Sequence, residues 1–255
     1  TSAPPGPKST TRPTSSSAAG NTRFVIERQF GYPVSAIRTP QLSSNELTRY
    51  QVLILPDGGD YKSVLGRGGV ENIKQWVKSG GTLIAMGRAM RFVTDPDVNL
   101  LSIRRENAFK VPEVEDQGGE DATVEGVLLE SERDYLTAIE PKKESPDSVA
   151  GVLINAKVDR DHWLGVGVAE TLNVLIRGSD IYSPQKLDKG SNVARFLSEK
   201  EILDSGYIWE ENRKQLAFKP FVVTEGSGRG QVIGFTQDPT VRAYLDGLNV
   251  ILMNA

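Results

Sequence analysis

Apolar and polar positions alternate along the first hundred residues with the periods of helices and strands. Residues 24–31 have a helical pattern that stops at Gly31, where glycine suits the left-handed residue that follows a helix. Residues 33–37 predict a short strand. Ser43 and Glu46 have the spacing of a capping box, which predicts a brief helix toward Tyr50.

The next segments predict buried strands separated by a helix. Residues 52–55 are continuously apolar, which is typical of parallel strands covered on both faces, and residues 82–86 predict the next buried strand. Between them, apolar residues repeat at helical spacing over residues 70–77, before Gly80 and Gly81. This alternation predicts an α/β fold with a doubly wound, mostly parallel sheet.

The rest of the chain is less regular. Charged stretches from about residue 95 to residue 148 predict a solvated insertion within one domain that covers residues 18–255. Asp238 and Pro239 predict the start of a final helix, with proline at its first position. The insertion is followed by strand-like runs that form a β-rich extension, at residues 149–158, 172–176, 207–209, 218–224 and 231–235.

Residues 1–17 consist almost wholly of Thr, Ser, Pro, Gly, Lys and Arg. This composition buries too little apolar surface to offset the entropy of ordering, so we expect a disordered leader. A doubly wound sheet normally begins with a strand near its middle, yet only this leader precedes the first helix. We therefore expect the first strand to be missing, which would leave two strands with unpaired edges.

Composition narrows the chemistry. The 255-residue chain has a formal net charge of -3 and no long basic run, which argues against a sequence-independent nucleic-acid surface. Its lack of cysteine excludes a thiolate nucleophile, a disulfide framework and zinc sites built on sulfur. No signal peptide and no apolar run long enough for a membrane span are recognisable.

Two glycines follow the first buried strand. Asp57, Gly58 and Gly59 lie just beyond its carboxyl end, where open α/β sheets usually bind their ligands. The backbone N–H groups there could bind an anion or an oxyanion. The alternative is a tight turn in which glycine is needed for a positive φ.

The second buried strand runs into a sharp turn and a helix, the setting of a nucleophile elbow. The residues available at the elbow are Gly87, Arg88 and Ala89, none of which is a nucleophile. We therefore predict no catalytic residue here. Arg88 could bind an anion, although a solvated or salt-bridged arginine is the simpler interpretation.

His162, next to Asp161, is the only histidine. A catalytic histidine needs a nucleophile and an orienting acid, and a zinc site needs further ligands at suitable spacing. The sequence shows neither set, so we predict no metal site. The structural alternative is a hydrogen-bonded histidine packed beside Trp163.

Several strings resemble the region that follows the peptidase domain in large bacterial proteins related to zinc carboxypeptidases. The resemblance extends from about residue 15 to residue 255. The strings that carry it are residues 161–167, 175–180, 207–212, 234–240 and 244–247.

That region is similar to class I glutamine amidotransferase domains, so the resemblance implies a flavodoxin-like fold. Asp57, Gly58 and Gly59 then resemble the oxyanion strand, and Gly87-Arg88 falls near the cysteine elbow. Gln237 and Asp238 occupy the neighbourhood of the catalytic histidine and glutamate. Since both the cysteine and the histidine are gone, glutaminase activity is not implied for this chain.

The resemblance also implies a partner and a compartment. We expect no cofactor in this chain, with zinc only in an upstream peptidase domain, and a periplasmic or extracellular setting. The leading hypothesis is a non-catalytic accessory module that supports or orients that peptidase domain, and a homo-oligomer is left open.

Two further functions stay open. One is a module that binds a small ligand, peptide or sugar at the strand carboxyl ends. The other is a cysteine-independent hydrolase at Asp161 and His162. The candidate ligand-binding residues are Asp57, Gly58, Gly59, Gly87, Arg88, His162, Gln237 and Asp238.

Overall fold

An eight-stranded mixed sheet runs through the protein. The computed structural model describes residues 13–43, 45–108, 128–139 and 145–255. The strands are β1 (Val52–Leu55), β2 (Thr82–Met86), β3 (Val149–Val158), β4 (Thr171–Gly178), β5 (Gly190–Phe196), β6 (Leu203–Ser205), β7 (Pro220–Ser227) and β8 (Gly230–Phe235). Their order is β1-β2-β8-β7-β5-β3-β4, with β6 pairing with β3.

Only one edge of the sheet is parallel. β1 pairs with β2 and β2 with β8 in parallel, whereas every other pairing is antiparallel. The predicted α/β fold is confirmed. The sheet is mixed, however, and a flavodoxin-like arrangement is not confirmed. The reason is local: β7 and β8 form a hairpin across Gly228 and Arg229, with Gly228 at φ +63°, so the chain reverses without a crossover helix.

Helices flank the strands along the chain. They are α1 (Ser16–Phe24), α2 (Tyr61–Lys78), α3 (Met90–Val93), α4 (Glu132–Ile139), α5 (Glu210–Leu216) and α6 (Asp246–Met253). A π-helical turn, Val25–Gln29, extends α1. In the described part of the chain, no helix is both long and apolar enough to cross a membrane.

Period-two alternation along the parallel strands produces two cores. Leu53, Leu83 and Val232 share one buried cluster with the apolar side chains of α2. Ile84 and Phe235 belong to the other cluster, together with α6 and the apolar residues of β3 and β4. β2 and the apolar part of β8 are buried on both faces, which explains their apolar character, whereas β1 is an edge strand whose Val52 is exposed.

The N-terminal predictions are only partly confirmed. α1 and its π-helical turn end before Gly31, which has φ +73°, as predicted. The strand predicted at residues 33–37 is wrong, because the described residues supply no neighbouring strand to pair with it. The brief helix before Tyr50 is instead two 3-10 turns, Thr39–Ser43 and Asn45–Arg49.

The predicted leader and insertion have structured parts. Ser15 caps α1, which begins at Ser16, inside the segment predicted to be disordered, and residues 1–12 lie outside the described residues. Part of the predicted solvated insertion is core, because Leu101 and Ile103 are fully buried. α4 also lies within it, and residues 109–127 and 140–144 lie outside the described residues.

The C-terminal strands follow the predicted runs except in three places. Residues 207–209 form no strand and lead into α5, and β5 and β6 were missed because their apolar residues are sparse. The final helix starts at Asp246 and not at Asp238. Asp238 caps a turn instead, since its Oδ1 accepts hydrogen bonds from the backbone N–H and the hydroxyl of Thr240.

Candidate functional site

A polar cavity of about 670 Å³ lies where β1, β2 and β8 end. Its wall is completed by the end of β4, the start of β3 and the first turn of α1. Of the eight sequence-predicted site residues, five line it: Asp57, Gly87, Arg88, Gln237 and Asp238. The carboxyl ends of parallel strands meet at one edge of a sheet, which is why residues so distant in sequence come together here.

The turn after β2 has the left-handed backbone that an elbow requires. Gly87 has φ +56° and is followed by a 3-10 turn that leads into α3. A Cβ atom added at Gly87 would lie 2.7 Å from Asp57 Oδ1 and 3.0 Å from Asp57 Cβ. Glycine is therefore required here both by its φ and by the side chain that lies against it.

Asp57 holds this turn through three hydrogen bonds from Arg88. Its Oδ1 accepts the backbone N–H of Arg88 at 2.8 Å and the Nε–H at 3.1 Å, and its Oδ2 accepts the Nη2–H at 3.2 Å. This ion pair keeps the pKa of Arg88 above its ordinary value. In a nucleophile elbow, the backbone N–H that follows the nucleophile binds the substrate oxyanion. Here the carboxylate of Asp57 accepts the hydrogen bond from that N–H, which is the donor that would bind an oxyanion.

A second ion pair forms the next part of the wall. Arg91 binds Asp180 through two hydrogen bonds, at 2.7 and 2.9 Å, and Arg105 approaches the same carboxylate at 3.4 Å. The hydrogen bonds from Arg91 to Asp180 raise the pKa of Arg91. This carboxylate is thus fully committed to cations of the protein.

The end of β8 supplies an amide and a partly buried carboxyl group. Gln237 Oε1 accepts the backbone N–H of Arg177 at 3.2 Å, which ties β8 to the end of β4. Burial raises the pKa of Asp238, and the nearby charge of Asp57 adds to this effect, although the hydrogen bonds from Thr240 oppose it.

Gly58 and Gly59 lie outside the cavity lining. Gly58 forms an isolated antiparallel bridge with Thr14, and a Cβ there would collide with the backbone oxygen of Pro13. The turn does contain a positive φ, but at Asp60 rather than at either glycine. Close approach of the N-terminal segment therefore explains Gly58, and the structure gives Gly59 no neighbour within 4 Å.

His162 does not line the cavity either. Its Nδ1 accepts the backbone N–H of Leu164 at 3.2 Å, so it caps the 3-10 turn Trp163–Gly165, and its ring packs against Trp163. Burial lowers the pKa of His162. Within the described ranges, no serine or threonine hydroxyl is hydrogen-bonded to this ring.

Residues from the end of β4 and from α1 were not among the candidate site residues predicted from the sequence. Arg177, Ser179 and Asp180 line the cavity, and so does Asn21 of α1. A signal for the first three was present, because a polar string follows directly after the strand-like run at residues 172–176. Asn21 had no comparable signal, since nothing in the sequence shows where α1 packs.

Metal-binding chemistry has no obvious place in this arrangement. In the parts of the chain that the structure describes, no three histidine or acidic side chains are grouped so that they could hold a metal ion. The carboxylates of the cavity are instead paired with arginines or bound to Thr240.

Comparison with known proteins gives matches by structure alone. No family model and no curated protein matches the chain. A ThuA-like protein from Parabacteroides merdae ATCC 43184 has a TM-score of 0.56 and 12% identity, over 94% of this chain and 83% of that protein. A ThuA-like protein from Bacteroides uniformis ATCC 8492 has a TM-score of 0.51 and 11% identity, over 93% and 80%. A cytoplasmic protein from Salmonella typhimurium LT2 has a TM-score of 0.52 and 13% identity, over 92% and 86%.

These likenesses define the fold. ThuA-like proteins have a class I glutamine amidotransferase-like fold, so this chain has that fold as well. The amidotransferase resemblance predicted from the sequence is confirmed to that extent. Identities this low carry no function from the matched proteins to this chain.

Proposed function

We propose that this chain is a non-catalytic amidotransferase-like domain that binds a small polar molecule at the carboxyl edge of its sheet. The proposal rests on the turn after β2, where neither a nucleophile nor a free oxyanion donor is present. Gly87 provides no attacking atom, and the carboxylate of Asp57 occupies the N–H of Arg88 that would bind an oxyanion. A fold that lacks both elements at this position retains its cavity but not the acyl-transfer chemistry.

The cavity supports a binding role by its size and its lining. A volume of about 670 Å³ is within the usual range for small-molecule sites. The lining combines charged, amide and hydroxyl side chains, including Asn21, Arg177 and Asp238, with a few aliphatic ones. A crevice filled with apolar side chains would have argued against this function.

Binding can be tested by blocking the cavity. A broad set of small polar metabolites is screened by thermal shift against the wild-type chain and against Ala150→Trp, which places a ring at an exposed lining position. Ala169→Trp is the matched control, because Ala169 is also exposed but lies outside the lining. We expect hits that are lost only in Ala150→Trp. Hits that persist in this variant, or no hit at all, would contradict a ligand site here.

Catalysis is tested on the same preparations. We expect no hydrolysis of glutamine, of glutamine analogues or of short peptides by the purified chain. Turnover that is abolished by Arg88→Ala or His162→Ala would overturn the non-catalytic proposal. The same experiment tests the cysteine-independent hydrolase, for which His162 has no hydroxyl partner in the described residues.

An accessory role beside a peptidase domain is a second proposal. It is favoured by the sequence resemblance to the region downstream of bacterial zinc carboxypeptidases, with zinc and a periplasmic or extracellular setting belonging to that context. The matching string at residues 207–212 also presents two exposed rings, Tyr207 and Trp209, that contact each other edge to face. Exposed aromatic area of this kind suits packing against another domain.

This second proposal has its own test. A protein that carries both domains would be purified with and without Tyr207→Ser and Trp209→Ser, and limited proteolysis between the domains would be followed. We expect faster cleavage in the double variant, because the domains would separate more often. Equal cleavage rates, with both folds intact by circular dichroism, would contradict docking through this surface. Size-exclusion chromatography of the single domain decides whether it forms a homo-oligomer.

A further inference from the structure

Among the described residues, one of the three arginines that line the cavity has no partner for its side chain. Arg88 is bound to Asp57, and Arg91 is bound to Asp180. The guanidinium of Arg177 is exposed and forms no hydrogen bond or ion pair with any residue that the structure describes. A free guanidinium on a concave surface is a two-pronged donor that matches a carboxylate.

Arg177 is held in place by its backbone. The N–H of Arg177 donates to Gln237 Oε1, and the Gln237 side chain is buried at the end of β8. The base of the arginine is therefore fixed to the central part of the sheet, while its charged end is free to meet a ligand.

Asp238 offers an acceptor on the same cavity wall. Its Oδ1 is bound to Thr240, whereas its Oδ2 has no hydrogen-bond partner among the residues described. No hydrogen bond or ion pair joins Asp238 to Arg177, although the charge of Arg177 acts to lower the pKa of Asp238, so both groups can still bind a ligand. Because burial raises the pKa of Asp238, a neutral hydroxyl suits this group, since it pairs with either protonation state.

The remaining lining indicates the shape of the ligand. It includes no aromatic residue, so neither a sugar ring nor a nucleobase would find a stacking surface in it. It is rich in groups that bind hydroxyls, and the hydroxyl and amide side chains concerned are Ser15, Ser17, Asn21, Ser148, Ser179 and Gln237. An open-chain molecule with several hydroxyls matches this distribution.

We infer that the cavity takes an open-chain polyhydroxy acid, with its carboxylate on Arg177 and a hydroxyl on Asp238. This inference rests on the proposed binding function and adds the chemical class of the ligand. The class is set by the guanidinium of Arg177 and by Oδ2 of Asp238, neither of which is bound by a residue that the structure describes, and by a wall suited to hydroxyls rather than to rings.

Three six-carbon probes separate the contributions of the carboxylate and the hydroxyls. D-Gluconate carries both, sorbitol lacks the carboxylate, and hexanoate lacks the hydroxyls. Isothermal titration of the full chain is expected to show gluconate binding about 10- to 100-fold tighter than sorbitol, since a charge-assisted pair accounts for that range. Hexanoate should bind at least about 10-fold more weakly than gluconate, because several neutral hydrogen bonds are lost.

Arg177→Gln tests the assigned partner. It should weaken gluconate to the level of sorbitol, about 10- to 100-fold, and leave sorbitol unchanged, because only the carboxylate contacts this residue. Arg160→Gln is the matched control, since Arg160 is exposed and lies outside the cavity lining. Asp238→Asn should weaken gluconate and sorbitol alike, because both present hydroxyls.

The outcomes distinguish this inference from the function on which it rests. Equal affinity for gluconate and sorbitol, tighter binding of hexanoate, or no binding of any probe would overturn the polyhydroxy acid. The cavity function would still stand if other compounds bound in a way that Ala150→Trp abolishes. Gluconate binding that survives both Arg177→Gln and Ala150→Trp would overturn the assigned site as well as the ligand.

Discussion

Replacing Gly87 with alanine tests whether the side chain of Asp57 occupies the elbow. Alanine there would be strained by the φ of +56° and would place its Cβ 2.7 Å from Asp57 Oδ1. Left-handed strain costs about 1 kcal/mol and an overpacked contact about 2 kcal/mol, so we expect a loss of about 3 kcal/mol. For a chain of this size, that loss lowers Tm by about 6–12 °C.

Gly31→Ala separates the two costs. Gly31 has a comparable φ of +73°, but a Cβ added there meets nothing within 4 Å. We therefore expect only the strain of about 1 kcal/mol, or about 2–4 °C in Tm. The lower entropy of the unfolded chain that alanine brings is common to both variants and cancels in the comparison.

A double-mutant cycle completes the test. Asp57→Ala alone should cost about 2 kcal/mol, because the hydrogen bonds from Arg88 are lost and the pair is only partly exposed. In that background, Gly87→Ala should cost only the strain, so that the coupling between the two sites is about 2 kcal/mol. Urea unfolding measures all four proteins. Equal costs for Gly87→Ala and Gly31→Ala, with no coupling, would refute the blocked elbow.

Three further predictions concern single side chains, two in the site and one outside it. Asp57→Ala frees the N–H of Arg88, so formate should raise the Tm of this variant more than that of the wild type, and an equal response would argue against a vacated anion site. Because burial raises the folded pKa of Asp238, this group contributes stability that is fully present below the unfolded pKa of about 3.9 and is lost as the pH rises through the folded pKa. Asp238→Asn should remove this loss. Urea unfolding at several pH values would refute the prediction if the wild type and Asp238→Asn lost stability in parallel. His162→Ala should cost about 1 kcal/mol through the lost cap without changing ligand affinity, and a change in affinity would place His162 at the site.

The strands that are covered on both faces could be predicted from the sequence. β1 and β2 are largely apolar runs, and the carboxyl-end rule then brought Asp57, Gly87 and Arg88 to one edge, whereas Gln237 and Asp238 came from the resemblance to amidotransferase domains. The antiparallel half was harder, because β5 and β6 contain few apolar residues and depend on tertiary pairing.

Which charged side chains of the site pair with each other could not be deduced from the sequence. That Asp57 satisfies Arg88 and that Asp180 satisfies Arg91 depends on side-chain positions 31 and 89 residues apart. The freedom of Arg177 follows only once those partners are known to be engaged. A pattern of single residues can place a charge at a strand end, but it cannot show which charge is already neutralised.

The parallel pairing of β2 with β8 has a consequence for how the protein folds. Thr82 pairs with Gln231, so one side of the central ladder cannot form until the chain has closed a loop of nearly 150 residues. β7 and β8 can form their hairpin early, whereas their docking onto β2 depends on this slow closure. The cavity walls meet only after docking, so the appearance of ligand affinity during refolding would time the last step of assembly.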